Sequence, residues 1–278
     1  MIRGAILVYG NCQAAGVAGA LGKLAPLADV VDVIFIPSFD HPINGAPVVQ
    51  ARDLERCVIL VEQKTLWHQF PYTEQLATGT PVISFPLTAC NALWPLQAND
   101  KRNMATPHYP WGRYPYGDRL VTQLLAKGLQ EETLLDAYCA TDLDSLVDVR
   151  RFAALEAARM LELDAQCDIP MGAYLLEHMK DQRLFWTYNH PTSQLLRPLT
   201  EAMVARLIWT FGLPPKTTDL VGAIFESWEP DDSLKVAIHP RAAEQLDINW
   251  YSEELQYAHY EYKDLSYFDY LRHLIRFD

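Results

Sequence analysis

Four short runs of apolar, largely β-branched residues stand out in the first third of the chain, at positions 5–9, 31–36, 57–61 and 81–85. Continuous apolar runs of that length, bounded by polar or turn residues, predict strands buried on both faces. Between the first two, residues 12–24 are rich in Ala, Leu and Gly with apolar side chains at helical spacing. Strand, helix and strand within about thirty residues make a βαβ unit, and a parallel sheet follows. Residues 52–55 are too short for a helix on their own and 72–77 have the composition of one, which keeps the strand and crossover rhythm of an open α/β fold.

After Phe85 the pattern breaks. Residues 86–117 hold five prolines (Pro86, Pro95, Pro107, Pro110 and Pro115) and no clear period. A long irregular segment inside a compact protein is usually a functional loop or lid. From Asp118 onward, period-3.6 apolar positions predict helices at 118–129, 130–138, 142–163, 198–211 and 251–277. The fold class expected is therefore α/β: a three-layer, flavodoxin-like parallel sheet within residues 1–117, including the Pro-rich segment at the active site. A large helical portion, 118–278, packs on it. The Tyr-rich stretch from 251 to 270 reads either as buried core or as a subunit contact, so a homo-oligomer stays open.

Composition narrows the partners. The 278 residues are 50% apolar and 21% charged, as in ordinary globular proteins. Thirty-five Asp and Glu against 23 Lys and Arg leave a net charge of −12, which disfavours nucleic acid and anionic lipid as partners. The start of the chain is too weakly apolar for a signal peptide, and no stretch has the length of a membrane span. Cys12, Cys57, Cys90, Cys139 and Cys167 are scattered and odd in number, without CxxC. A reduced, cytoplasmic protein without a structural metal is expected.

The string Val8-Tyr9-Gly10-Asn11-Cys12-Gln13 closes the first strand and opens the next helix, the edge where open parallel sheets bind ligands. A cysteine there meets the positive helix end, which favours a thiolate nucleophile. Gly10 allows the tight turn and Asn11 supplies a carboxamide donor suited to an oxyanion. Alternatively, Gly10 is only a turn residue and Cys12 a buried filler. A matching base is His190, between Asn189 and Pro191, where a helix cannot run smoothly. His41, after the second strand, competes with it. The absence of GxxxxGK[ST] and GxGxxG argues against a P-loop kinase or a dinucleotide dehydrogenase, and without HExxH or a carboxylate cluster metal catalysis has no support.

Together, GNCQ after strand one, Asn91-Ala92-Leu93-Trp94-Pro95 and Asn189-His190-Pro191-Thr192 resemble the WcbI family of bacterial polysaccharide-biosynthesis enzymes over roughly residues 4–200. The resemblance implies an SGNH-hydrolase-like fold, coenzyme A or acetyl-CoA as cofactor, and acetyl transfer to a hydroxyl of a saccharide, as in capsule or other surface polysaccharide biosynthesis. By the same likeness Gly10-Asn11-Cys12 stands for the Gly-Asp-Ser of SGNH enzymes and Thr187-Tyr188-Asn189-His190 for their Asp-x-x-His. Threonine cannot stabilise an imidazolium as a carboxylate does, so Cys12 and His190 would act as a dyad or take an orienting group from elsewhere. Gly10, Gln13 and Asn91 are implied cofactor contacts, and Asn91 is preferred over the Gln97-Ala98-Asn99-Asp100 block as an oxyanion donor.

Coenzyme A is polyanionic, and an acidic chain must answer it locally. Residues 101–117 contain Lys101, Arg102 and Arg113 with no acidic residue, together with the rings of His108, Tyr109, Trp111, Tyr114 and Tyr116. Arginine grips phosphate bidentately and aromatic faces stack on adenine, so this segment is the expected nucleotide site. The alternative is a solvated loop pinned by its aromatics. Two rival functions use the same residues differently: an SGNH-like esterase or thioesterase with water as acceptor, and a non-enzymatic ligand-binding protein in which Cys12 is a passive thiol.

Overall fold

The computed structural model describes residues 3–65, 69–230 and 232–277. All four expected strands form: β1 (Ala5–Gly10), β2 (Asp32–Pro37), β3 (Cys57–Lys64) and β4 (Val82–Pro86). They pair in parallel in the order β2-β1-β3-β4, which puts β1 at the centre with every residue buried. Alternation along β1 divides the core in two. Ile6 and Val8 face helix α1 (Cys12–Lys23) and the helices beyond it, while Ala5, Leu7 and Tyr9 pack with Leu54, Leu60 and Phe70. The second face is thinly covered, by the single turn α3 (Ala51–Glu55), which follows the short α2 (Ala25–Ala28), and by irregular chain. Among the described residues a full third layer is therefore not built, and the helix expected at 72–77 shrinks to a 3₁₀ turn, Thr73–Gln75.

The thick face shows how sequence sets packing. A Cβ on Gly16 of α1 would fall 2.8 Å from Leu196 Cδ1, and one on Gly19 would fall 3.0 Å from the Trp228 ring. These glycines let two later segments lie directly on α1. The chain reaches them through a hairpin of β5 (Gln97–Ala98) and β6 (Gly117–Asp118), then α4 (Arg119–Ala126), α5 (Glu131–Ala140), α6 (Val149–Asp164) and α7 (Gly172–His178). The packed segments are α8 (Ser193–Phe211) and the stretch after α9 (Asp219–Ser227). The division drawn at 117/118 thus passes through β6, and the apolar core runs without a break from the sheet into these helices.

Three helix expectations are corrected. The helix expected from 142 begins at Val149 with Asp148 as its cap. The helix expected from 198 begins five residues earlier, with Pro198 inside it; the Tyr174 hydroxyl donates to the Gln194 carbonyl, 3.2 Å away, which a proline four residues on cannot serve. Residues 251–277 are not one helix. They form β8 (Tyr257–His259) and β9 (Tyr262–Leu265), antiparallel to each other and to β7 (Leu234–Lys235), then α11 (Tyr267–Arg276), with α10 (Pro240–Gln245) between β7 and β8. Tyr257 and Tyr270 of the aromatic stretch are buried. Among the described residues no helix is long and apolar enough to cross a membrane.

Candidate functional site

The turn between β1 and α1 sits at the carboxyl edge of the sheet. Asn11 caps α1 by accepting the Gln13 N–H at Oδ1, 2.9 Å, and its own N–H donates to Gln63 Oε1 at 2.8 Å. Gly10 is required by space: a Cβ there would meet Gln63 at 2.6 Å and Ala14 at 2.7 Å. Cys12 follows as the first helical residue and is partly accessible, unlike the buried Cys57 and Cys90. This removes the buried-filler reading of Cys12.

His190 arrives from a tight loop between α7 and α8. Thr187, fully buried, shapes it: Oγ1 accepts the His190 N–H at 3.1 Å and donates to Asn189 Oδ1 at 3.1 Å. Trp186 N–H donates to the His190 carbonyl, Cys90 N–H to the Tyr188 carbonyl and Val236 N–H to the Trp186 carbonyl. Thr187 therefore supports the backbone, and one group set against the imidazole is Tyr116, whose Oη lies 3.1 Å from Nε2 and 3.4 Å from Nδ1. The same hydroxyl is 3.2 Å from Asn189 Oδ1.

The two elements meet. Cys12 Sγ lies 3.9 Å from the Asn189 carbonyl, and Asn11, Cys12, Asn189 and His190 line one cleft of about 460 Å³. Its lining is largely aromatic, with Phe39, Trp111, Tyr116, Tyr188 and Tyr260, and the Tyr260 hydroxyl donates to the Gly112 carbonyl beside Trp111. Burial, with the Cys12 sulfur nearby, pushes the Tyr188 phenol above its ordinary range. A larger hollow of about 740 Å³ lies near α5, α10 and α11, but its Arg241 and Glu244 pair with each other, and Arg241 also pairs with Asp144.

Several expected cofactor residues hold the protein together instead. Gln13 is 1% exposed; its Nε2 donates to the carbonyls of Thr88 (2.6 Å) and Asn189 (2.8 Å), while Oε1 accepts from Gln63 Nε2, Thr88 N–H and Thr88 Oγ1. It ties the His190 loop to the sheet edge and has no capacity left for a ligand. Asn91 donates through its side chain and backbone to Glu156 of α6, away from the cleft. Arg102 clamps the buried Asp100 and donates to the carbonyls of Leu274 and Ile275 at the end of α11. Lys101 is exposed beside that clamp. Asp100 is committed to Arg102, and none of Gln97, Ala98, Asn99 and Asp100 is among the residues lining the cleft. His41 caps its own turn, accepting from Ile43 and Asn44 N–H.

Arg113 is closer to the expected role. Its guanidinium lies beside Tyr109, Tyr262 and Glu261, next to the Tyr260 wall, and its Nε is buried with no partner among the described residues. His259, beneath it, donates from Nε2 to the Arg113 carbonyl at 2.6 Å, and burial pushes its pKa down to about 4, so it stays neutral there. Sequence reasoning missed Gln63, Thr88 and the role of Tyr116. The one signal for Gln63 was a polar run, Glu62-Gln63-Lys64, ending an otherwise apolar strand.

No curated protein sequence matches the chain. The model of the family described as "Polysaccharide biosynthesis enzyme WcbI" matches residues 5–211. A solved structure of WcbI, described as a novel polysaccharide biosynthesis enzyme in native form without a disulfide bond between coenzyme A and one of its cysteines, is similar with a TM-score of 0.68 at 18% identity. The match covers 99% of this chain and 89% of that one. The family match spans both the Asn11-Cys12 turn and the His190 loop, and the chain belongs to the WcbI family of polysaccharide biosynthesis enzymes.

Proposed function

We propose that this cleft transfers an acyl group, acetyl in the first instance, from a coenzyme A thioester to a saccharide hydroxyl. The observation that carries the reading is the meeting of Cys12, at a helix N-terminus on the sheet edge, with His190 in one aromatic cleft. The description of the similar WcbI structure, native and without a disulfide bond between coenzyme A and a cysteine, links coenzyme A to a cysteine of that protein and supports the reading. The residues fit the cofactor: the cleft is within the size range of small-molecule sites, and Arg113, whose buried Nε has no partner among the described residues, lies against Tyr109, which packs on the lining residue Tyr260. When bound, the thioester supplies an electrophilic carbonyl and a good leaving group.

The helix N-terminus favours the Cys12 thiolate, which attacks that carbonyl and takes the acyl group as its sulfur–carbon bond to coenzyme A breaks. Asn11 has committed Oδ1 to the helix cap, so its Nδ2 is the donor left for the developing oxyanion. Tyr116 gives its one proton to Asn189 Oδ1, and its oxygen accepts the ring N–H of His190 Nε2. Nδ1 then carries the lone pair that removes the proton of the acceptor hydroxyl as it attacks the Cys12 thioester.

Mass spectrometry of the intact protein after acetyl-CoA alone tests the route: one acetyl group on the peptide bearing Cys12, absent in Cys12→Ser, is the expected result. No adduct in either protein overturns the two-step path. Rapid turnover of simple aryl esters with no dependence on coenzyme A would move the reading to a hydrolase.

A further inference from the structure

Three phenols line the cleft, and their hydroxyls are not equally engaged. The Tyr260 hydroxyl donates to the Gly112 carbonyl at 3.2 Å, and the Tyr116 hydroxyl is set against Asn189 Oδ1 and the His190 ring. The Tyr188 hydroxyl has no hydrogen-bond partner among the described residues, yet it is not one of their sealed polar atoms, so it opens to the cleft that its residue lines. The Cys12 sulfur is close enough to act on this phenol electrostatically, although no hydrogen bond joins them. The rest of Tyr188 is fixed. Its carbonyl accepts the Cys90 N–H at 2.8 Å, and its ring meets Tyr116 edge-on at 5.7 Å. On one side Thr187 is fully buried, and on the other the Asn189 carbonyl accepts Gln13 Nε2. A hydroxyl on a ring held in this way is a donor that needs little reorganisation at the moment of reaction.

Acylation of a thiol needs such a donor at a particular place. When a thiolate attacks a carbonyl carbon, the carbonyl oxygen becomes an alkoxide two bonds away from the sulfur. The group that stabilises it must stand near the sulfur without being bonded to it, which describes the Tyr188 hydroxyl. Asn11 offers Nδ2 from the β1–α1 turn. That amide alone leaves most lone pairs of a full negative charge unmet, and an unmet charge is costly in a cleft lined by aromatic rings. Tyr188 adds a second donor from the other element of the site, the His190 loop. Burial raises its pKa, so the phenol keeps its proton through the neutral range and stays a donor while Cys12 ionises.

We propose that Tyr188 is a catalytic residue whose hydroxyl donates a hydrogen bond to the oxyanion formed as Cys12 is acylated; for its natural acyl donor this rests on the acyl-transfer reading. In that step the bond from sulfur to the carbonyl carbon forms and the carbonyl π pair moves to oxygen. Tyr188 keeps its proton, and the pair returns as the leaving group departs with its own bonding electrons. The test is Tyr188→Phe, which removes the hydroxyl and keeps the ring, with two reagents for the same sulfur. Acetylation by 4-nitrophenyl acetate passes through an oxyanion, whereas alkylation by iodoacetamide does not. The expected result is acetylation of Cys12, followed by nitrophenolate release and mass spectrometry of its peptide, about 100-fold slower in Tyr188→Phe. Alkylation and its pH profile stay as in wild type, which also shows that the thiol keeps its surroundings in the variant. Equal acetylation rates, or no acetylation of Cys12 in wild type, would overturn the proposal. So would slower alkylation with a shifted pH profile, since the hydroxyl would then act on the thiolate or on the loop. Acetylation by the aryl ester that depends on Tyr188, in a protein that acetyl-CoA does not acylate, leaves the donor standing and removes the transfer reading alone.

Discussion

Gln13 offers the sharpest test of how the site is held. Its carboxamide serves four groups, the Thr88 and Asn189 carbonyls, the Thr88 N–H and the Gln63 Nε2, of which the Asn189 carbonyl also has the long contact from Cys12 Sγ. Leaving a buried polar group unpaired costs about 1–3 kcal/mol. Gln13→Ala strands all four but opens room for a water that satisfies some of them, so about 3 kcal/mol is expected. Gln13→Met keeps the volume, admits no water and leaves all four unmet, so its cost is larger, about 4–5 kcal/mol. Denaturant unfolding of the three proteins reads these differences, and hydrogen exchange at the Thr88 amide localises them. An account based on lost packing volume orders the variants the other way. If Gln13→Met is the more stable of the two, the polar argument is wrong. Both variants should also lower transfer activity, because the Asn189 carbonyl is the tether nearest to His190.

Arg102→Ala should cost about 3 kcal/mol, since it leaves the Asp100 carboxylate buried without its partner. Burial works to raise the Asp100 pKa, but Arg102 outweighs it and holds the group below the usual range. A depressed acid stabilises the fold above its unfolded pKa, so the deficit of Arg102→Ala measured by denaturation is full at neutral pH and narrows below about pH 4. Asp118 has the opposite sign. Burial, against the hydrogen bonds of Val121 N–H and Tyr138 Oη, raises its pKa from 3.8 to about 6. Its contribution is present below the unfolded pKa and lost as pH rises through about 6. Asp118→Asn keeps the helix cap, and thermal melts should show it about 1–2 kcal/mol more stable than wild type at pH 7, discounted for the residue's partial exposure, with no gain below about pH 4. Gly10→Ala should lower stability by about 2 kcal/mol in denaturant, because the Gln63 Cβ cannot withdraw. Cys12→Ser, at a partly accessible position, should melt as wild type does and lose acetyl transfer in a radiolabel assay.

The strands were legible because each reads as an apolar run, which is fully buried in β1 and only partly so in β2, and the Asn11-Cys12 turn because a glycine, a cap and a helix pattern coincide there. What stayed hidden has identifiable physical causes. Tyr260 and Asp264 take positive φ without being glycine, at +52° and +56°, so no turn signal interrupts the aromatic stretch that folds as β8 and β9. Pro198 looks like a helix start, but a tyrosine 24 residues earlier in the chain serves the carbonyl it strands. The basic segment was read by composition. Composition cannot show that Arg102 is neutralised by Asp100 two residues away and anchored to the last turn of α11.

The site also explains why its two halves lie so far apart in sequence. The His190 loop belongs to no sheet or helix; it is fixed by bonds from Cys90, Val236 and Gln13, three segments that converge only in the folded chain. Such a loop can open without unfolding the sheet beneath it, since none of these bonds belongs to the β2-β1-β3-β4 ladder. Cys12 needs only the β1–α1 turn, which forms from neighbours in sequence plus Gln63. Mild denaturant should therefore leave the thiol in place while the base is released. Transfer activity should be lost at a lower concentration than far-UV circular dichroism, and coincident curves would show that the loop and the sheet form one cooperative unit.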